Sequence, residues 1–383
     1  MFIYTVQPGD NLYQIGQRFG VSTESIVNIN GIDFPYQLVI GMALVIPTNN
    51  EVPFMTIETL AYYDPAADPD QPSLIDELGS NLTYIGIFEF PITETGDIIG
   101  TLGTEVLTAA IRNNVAALPV ITNLKEGGFD PILARNVISN PITLNNLIDN
   151  IVFMLQQNNL IGVIIDFENL FPEDREIFTN FIRLLSQRLH SIGKILVLNL
   201  PAKWEDWPEK EWVGFFDFNA LGPLIDIAAI MTYEWGYREG PPQPTAPLPY
   251  VRAVLDYAIA NNIPANKILM GLTLYGYDWE LPDTPQNLAT TVTLPRVWDL
   301  ARIYNSIIIF DNDVQQPSMN YTNNMGINHE VWFENALSHY MKYQLVMQYG
   351  LRGVFYWILN MPFPSTWYMV SNLFNIRKIS QFI

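Results

Sequence analysis

Apolar residues recur along this chain with two periods, and the alternation of these periods predicts its fold. Eight runs are rich in β-branched and aromatic residues and have the length of buried strands. Stretches with helical spacing, such as 175–191 and 250–261, lie between most of them. The predicted strands are 56–63, 83–88, 117–123, 162–168, 194–200, 225–233, 268–275 and 353–359.

Eight β/α units in roughly 330 residues predict a closed (β/α)₈ barrel of the TIM type. The alternative is a doubly wound open sheet, but no glycine-rich phosphate loop follows the first strand. The longest gap lies between the seventh and eighth strands. We expect residues 280–330 to form a small α+β insertion there, with a helix over 294–304 and a strand over 307–310.

The first 48 residues follow a different pattern. A short β-type run at 2–7 leads into a turn at 8–10, and residues 11–19 have helical spacing. Ser22 can cap a second helix, and the apolar run 44–46 predicts a closing strand. We therefore expect a small βααβ domain at 1–48, a polar link at 48–51, and the barrel at 52–383.

Two carboxyl groups end the fourth predicted strand of the barrel. Side chains alternate along a strand, so Asp166 and Glu168 point to the same face. Buried carboxyl groups are costly unless they are paired, hydrogen-bonded or used in chemistry. Active sites of TIM barrels lie at the C-terminal ends of the strands, where this chain also carries aromatic residues such as Tyr233 and Trp357. Carboxylates beside aromatic rings suit a sugar site.

Composition and charge argue against several classes of binding partner. The net charge is −20, from 19 basic and 39 acidic residues, which argues against nucleic acid and against an anionic membrane surface. There is no cysteine, and His190, His329 and His339 are scattered, so we expect no metal site and no cofactor. No apolar run is long enough to span a membrane, and the first residues do not have the pattern of a signal peptide.

Residues 4–47 resemble a LysM module, from Tyr-Thr-Val-Gln-Pro-Gly-Asp-Asn-Leu to Leu-Val-Ile-Pro. LysM modules bind N-acetylglucosamine-containing glycans, such as peptidoglycan or chitin, in a shallow groove. The resemblance implies that the groove uses Gly9, Asp10 and Asn11 on one side and Asn30, Gly31 and Ile32 on the other.

Residues 52–383 resemble glycoside hydrolase family 18. The family motif on strand four is Asp-Gly-x-Asp-x-Asp-x-Glu. Gly162, Asp166 and Glu168 match it, but Ile161 and Ile164 replace the first two aspartates. Several further segments are similar to the spore-germination, cortical-fragment-lytic N-acetylglucosaminidases of spore-forming bacteria. They are Met-Thr-Tyr-Glu-Trp-Gly at 231–236, Gly-Tyr-Asp-Trp-x-Leu-Pro at 276–282, His-Glu-Val-Trp-Phe-Glu at 329–334 and Asn-Met-Pro-Phe-Pro at 360–364.

The resemblance implies a retaining, substrate-assisted mechanism. Glu168 would be the acid and base, Asp166 would hold the substrate acetamido group, and Tyr233 would align it. The implied substrate-binding residues are Trp357, Met231, Asn123, Glu234, Tyr275 and Trp279. Strict alternation nevertheless turns Glu234 away from the face of Tyr233. Because Ile164 replaces an aspartate, we expect Asp166 to titrate as an isolated group coupled mainly to Glu168.

The leading interpretation is a monomeric hydrolase of spore-cortex peptidoglycan, located in the coat or cortex of a spore. The two missing aspartates leave open a catalytically weak or inactive glycan-binding coat protein. A chitinase is a further alternative, because chitin carries the same acetamido sugar.

Overall fold

The computed structural model describes residues 1–48, 53, 55–68 and 72–379. Residues 49–51 of the predicted link at 48–51 and the predicted first residue of the barrel domain, residue 52, lie outside this part of the chain. The strands are β1 (Phe2–Thr5), β2 (Ala43–Ile46), β3 (Met55–Tyr63), β4 (Tyr84–Pro91), β5 (Ala116–Thr122), β6 (Leu124–Lys125), β7 (Gly128–Phe129), β8 (Gly162–Asp166), β9 (Ile195–Pro201), β10 (Ile227–Met231), β11 (Ile268–Thr273), β12 (Tyr275–Leu281), β13 (Thr290–Thr293), β14 (Ile309–Asp311), β15 (Gln316–Thr322), β16 (Asn328–Trp332), β17 (Gly353–Trp357) and β18 (Phe374–Ile376). The helices are α1 (Leu12–Phe19), α2 (Thr23–Asn30), α3 (Ser73–Leu78), α4 (Thr104–Arg112), α5 (Pro131–Ser139), α6 (Pro141–Gln157), α7 (Arg175–His190), α8 (Phe218–Leu221), α9 (Leu248–Ala260), α10 (Leu294–Ile303), α11 (Ala336–Tyr349) and α12 (Pro364–Leu373).

Eight parallel strands form a closed barrel, as predicted. Their order is β3, β4, β5, β8, β9, β10, β11 and β17, and β17 pairs again with β3. Gly353 opens β17 at this closure, and a Cβ there would lie 1.8 Å from the Glu58 carbonyl oxygen. Only glycine permits the two backbones to approach this closely. Leucine, isoleucine and valine side chains fill the barrel core.

A small α+β lobe lies between the seventh and eighth barrel strands, as predicted. Five antiparallel strands form its sheet in the order β13, β12, β16, β15, β14, and α10 joins β13 to β14. The sheet begins at Tyr275, two residues after β11 ends, and its last strand ends at Trp332. The chain therefore enters the lobe directly from the catalytic end of a barrel strand.

The N-terminal domain has the predicted βααβ order, with β1 antiparallel to β2. Asn11 and Ser22 cap α1 and α2 by accepting hydrogen bonds from the backbone N–H groups of Gln14 and Ser25.

This domain packs directly against the rest of the protein. A Cβ on Gly31 would lie 2.6 Å from Cγ of Pro364 at the start of α12. On the lobe, the Ile308 N–H donates to the Ile40 carbonyl at 3.0 Å, and Arg302 Nε donates to the Gln37 carbonyl at 3.0 Å. The segment between α2 and β2 is thus held on two sides.

Candidate active site

The C-terminal ends of the barrel strands surround a cleft of about 490 Å³. Strands β8, β10 and β17 end at this cleft, so residues far apart in sequence meet in it. The predicted site residues that line the cleft are Asp166, Glu168, Met231, Tyr233, Glu234, Tyr275 and Trp357.

Asp166 is the last residue of β8, and it is buried. Asn199 on β9 donates a hydrogen bond from Nδ2 to Asp166 Oδ1 at 2.8 Å. The Tyr62 hydroxyl donates to Asn199 Oδ1, which fixes the orientation of the amide. Asp166 therefore has a neutral hydrogen-bond partner on the neighbouring strand, and the expectation that it titrates without a second carboxyl partner, coupled mainly to Glu168, stays a prediction.

Burial raises the pKa of Asp166 to about 6. The hydrogen bond from Asn199 favours the ionised form and opposes this rise, while the negative charge of Glu89 adds to it. Asp166 can therefore ionise below neutral pH while remaining an acceptor for an N–H group.

Glu168 follows two residues later and faces the cleft. Burial raises its pKa well above the ordinary value of a glutamate, and the charges of Asp166 and Glu234 raise it further. Two neighbouring carboxyl groups with separated pKa values provide an acid and an anion at the same pH. Glu168 is the group that keeps its proton longer.

Asn123 does not contact the cleft, contrary to the implied substrate contact. It is fully buried, and its Oδ1 accepts a hydrogen bond from the Glu168 N–H at 3.0 Å. Its Nδ2 donates to the carbonyls of Glu168 and Asp130, each at 3.0 Å. Asn123 therefore fixes the backbone of Glu168.

Tyr233 and Trp357 form the aromatic part of the cleft. Gly271 makes room for the Tyr233 ring, because a Cβ there would lie 2.7 Å from Tyr233 Cε1. Burial raises the pKa of Tyr233 well above its ordinary value, so its hydroxyl keeps its proton. Trp357 meets the rings of Tyr62 and Phe88 edge to face, at centroid distances of 5.4 and 5.1 Å. Its orientation is fixed before any ligand binds.

Glu234 lines the same cleft as Tyr233, although strict alternation places it on the other face. The strand β10 ends at Met231, and Glu234 has a φ of +65°, so alternation no longer holds there. The hydroxyls of Tyr275 and Tyr277 both donate to the Glu234 carboxylate, the latter at 2.9 Å. Burial raises the pKa of Glu234, and these two hydrogen bonds lower it.

Trp279 is not a cleft wall. It is fully buried in the lobe, and its Nε1 donates to the Gly240 carbonyl at 2.8 Å. The strand β12 starts at Tyr275, so Tyr275 and Tyr277 reach the cleft while Trp279 continues into the lobe.

Several residues of the cleft were not predicted as site residues from the sequence. These are Tyr62, Phe88, Asn199, Trp212 and Tyr277. Tyr62, Phe88 and Asn199 could have been identified, because each is a polar or aromatic residue near the end of a predicted barrel strand. Trp212 lies in a loop, where no periodic pattern marks it.

The implied LysM groove is only partly open. Asn30 and Ile32 are buried, and the Asn30 amide bonds the backbone of Ile26 and Val45. Gly31 lies beside Pro364 and is half-exposed, so at this edge the side chains of Asn30 and Ile32 are not available to a glycan, and contact through Gly31 stays a prediction. These residues hold the domain together and attach it to the barrel.

On the other edge of the implied groove, Gly9 and Asn11 are exposed, while Asn11 caps α1. Asp10 accepts hydrogen bonds from the Tyr4 hydroxyl at 2.6 Å and from the Gln7 N–H at 2.7 Å. This edge keeps surface that a ligand can reach.

Among residues 1–48, 53, 55–68 and 72–379, no group of three or more histidine or acidic side chains could hold a metal ion. In the same part of the chain, no helix has the length and apolarity needed to span a membrane.

Two family models match the chain. The model of glycosyl hydrolases family 18 matches residues 125–361, and that of the LysM domain matches residues 4–47. The cortical fragment-lytic enzyme of Bacillus subtilis is 34% identical over 99% of this chain and 99% of its own length. The putative sporulation-specific glycosylase YdhD of the same organism is 31% identical over 99% of this chain and all of its own. The crystal structure of the Bacillus megaterium spore cortex-lytic enzyme SleL superposes with a TM-score of 0.91 at 30% identity, covering 98% of both chains.

Proposed function

The chain belongs to glycosyl hydrolases family 18, and from that premise we propose that it cleaves N-acetylglucosaminyl bonds in peptidoglycan fragments of the spore cortex. The relatives named for cortex lysis match along nearly the whole chain, including the LysM domain. The single observation that carries the proposal is the pair of carboxyl groups with separated pKa values, Glu168 and Asp166, beside Tyr233 and Trp357.

In the proposed mechanism, Glu168 protonates the glycosidic oxygen and later takes a proton from water. The nucleophile is the acetamido oxygen of the substrate, so the configuration at the anomeric carbon is retained. The ionised Asp166 accepts the acetamido N–H and stabilises the developing positive charge. The Tyr233 hydroxyl, which keeps its proton, donates to the acetamido oxygen and aligns it for attack.

Trp357 carries the apolar face of the sugar whose bond is cut, with Met231 and Tyr275 beside it. Glu234, held by Tyr275 and Tyr277, supplies acceptors for sugar hydroxyls. The LysM domain binds the same glycan through its open edge at Gly9–Asn11, and the protein acts as a monomer in the coat or cortex of a spore.

The first experiment is mass spectrometry of spore-cortex fragments after digestion. We expect N-acetylglucosamine at every new reducing end. Muramic acid at the new ends would overturn the assigned bond. If chitin oligomers are hydrolysed faster than cortex fragments, the protein is a chitinase.

A second experiment separates an active barrel from an inactive glycan-binding one. Glu168→Gln keeps the shape of the side chain but removes the acid, so we expect kcat to fall about 10²- to 10⁴-fold. Glu176→Gln makes the same change on the exposed surface of α7 and leaves kcat unchanged. Equal reducing-end release by the wild type and Glu168→Gln would remove Glu168 from the acid role.

A further inference from the structure

A second cavity, of about 770 Å³, opens at the catalytic end of the barrel beside the cleft. We call it the side cavity. Its walls are the segment 91–99, which begins at the last residue of β4, and the hairpin of β6 and β7. No step of the proposed mechanism uses it.

The side cavity and the catalytic cleft share their walls. Phe88 lines the cleft, and the next residue, Glu89, lines the side cavity. In the same way Phe129 of the hairpin lines the cleft, while Leu124 to Gly127 line the side cavity. A substituent on a sugar in the cleft can therefore extend into the side cavity.

The walls are held in place by hydrogen bonds to α6. Asn150 donates from Nδ2 to the Gly96 carbonyl at 3.0 Å, and Asn146 donates to the Thr95 carbonyl at 3.3 Å. Gly96 has a φ of +82°, and a Cβ there would lie 2.3 Å from the Thr143 carbonyl oxygen. The loop is thus anchored on the helix, and the cavity exists without a ligand, as binding sites usually do.

The chemistry of the side cavity differs from that of the cleft. Its alkyl lining comes from Ile92, Ile99, Leu124 and Leu133. None of the described residues that line it has an aromatic ring, whereas eight of the described residues that line the cleft are aromatic, including Trp357 and Tyr233. A second sugar ring would therefore find no stacking partner, but alkyl groups would be buried favourably.

The charged side chains of the lining are three glutamates, Glu89, Glu94 and Glu126, and one lysine, Lys125. Three negative charges and one positive charge leave a net −2, which favours a cationic group. Lys125 Nζ lies 3.4 Å from Glu94 Oε1, and both side chains are largely exposed. Such a pair contributes little to stability, so a ligand can separate it and bind both charges.

We propose that the side cavity binds the short peptide branch of a muramic residue, an inference that rests on the proposed function. Peptidoglycan peptides combine alanine methyl groups, carboxylates and the free amino group of a diamino acid. The methyl groups fit the alkyl lining, the amino group fits the glutamates, and a carboxylate fits Lys125. The enzyme thus recognises a branched glycan, with the sugar in the cleft and the peptide in the side cavity.

The test uses one glycan in two forms: muramic-containing fragments that carry the peptide, and the same fragments after an amidase has removed it. The variant is Glu94→Lys with Glu126→Lys. Glu89 is left unchanged because its charge also acts on Asp166. The matched control is Glu77→Lys with Glu105→Lys, the same charge change on the exposed surfaces of α3 and α4.

We expect the wild type to prefer the peptide-bearing fragments, and the side-cavity variant to lose about 5- to 10-fold in kcat/KM on them alone. The control should match the wild type on both forms. In the inactive Glu168→Gln background, the same charge reversal should weaken binding of the peptide-bearing fragments by a similar factor and leave the bare fragments unchanged.

Equal kcat/KM of the wild type on both forms overturns the inference and leaves the proposed function intact. So does an equal loss on both forms in the variant, because that would reflect a general change of charge or fold. Failure of the wild type to release reducing ends from either form overturns the proposed function, and the inference with it.

Discussion

Asn199 offers the most direct test of the electrostatics at this site. Its Nδ2 donates to Asp166 at 2.8 Å, within a barrel interior that is otherwise mostly alkyl. Replacing it with leucine keeps the approximate volume and removes the donor. The fold should survive, since the amide is near the open end of the barrel and no backbone group bonds to its side chain in the part of the chain that the structure describes.

The expected shift follows from the strength of one hydrogen bond to a charged group. Such a bond is worth about 1.5–3 kcal/mol, and one pKa unit corresponds to about 1.4 kcal/mol. The donor stabilises the ionised form of Asp166, so its loss raises the pKa. Starting from about 6, the pKa of Asp166 should rise by roughly 1–2 units.

The assay is the pH dependence of kcat/KM. The active form has Asp166 ionised and Glu168 protonated, so the rate climbs as pH rises through the pKa of Asp166 and falls through that of Glu168. In Asn199→Leu the acid limb should move to higher pH by the stated amount. Tyr62→Phe removes the hydroxyl that orients the Asn199 amide but keeps Asn199 as a donor to Asp166. It should therefore shift the acid limb by a smaller amount in the same direction.

Asn219→Leu is the control for removing an amide, because Asn219 is exposed and bonds Asn262 away from the cleft. Its profile should match that of the wild type. An acid limb that stays in place in Asn199→Leu would refute the assignment of that limb to Asp166, or the role of this hydrogen bond in setting it.

Three further predictions concern stability. Folding raises the pKa of Glu168, so this carboxyl destabilises the fold as pH rises through its folded-state pKa and has no such effect below the pKa of the unfolded chain. Glu168→Gln should therefore be more stable than the wild type by about 0.5–2 kcal/mol at pH 8 and not at pH 4, measured by thermal unfolding. Lys342→Met leaves the buried Glu334 carboxylate without its ammonium partner at 2.7 Å and should lower the free energy of unfolding by about 3–5 kcal/mol in urea titrations; adding Glu334→Leu should recover most of it. Gly353→Ala places a methyl group against the Glu58 backbone, and we expect little soluble protein in expression trials.

The barrel was predictable because its strands are short runs dominated by apolar residues, and such runs indicate buried strands. The position of Asp166 and Glu168 in the cleft was predictable for the same reason, since they interrupt an apolar run at its end. Both inferences use information that lies within a few neighbouring residues.

The predictions that differ from the structure concern positions where the regular alternation of side chains along a strand ends, or where a motif alone was used. Glu234 reaches the cleft because its positive φ turns the backbone after β10 has ended. Trp279 leaves the cleft because β12 is a new strand rather than an extension of β11. In the N-terminal domain, a motif cannot distinguish an amide that bonds sugar from one that bonds the backbone, and Asn30 is of the second kind.

At position 164 the chain has isoleucine where the family motif has an aspartate, and this replacement affects the chemistry of the site. Ile164 points into the barrel, where its Cδ1 would lie 3.0 Å from a Cβ placed on Gly86, so it fills space beneath the site. A second carboxyl there would add negative charge next to Asp166 and raise its pKa further. Asn199 instead supplies a donor without a charge, from the adjacent strand. Asp166 therefore keeps a fixed partner in the resting site, and this partner is found across β8 and β9 rather than along β8, where the family motif is read.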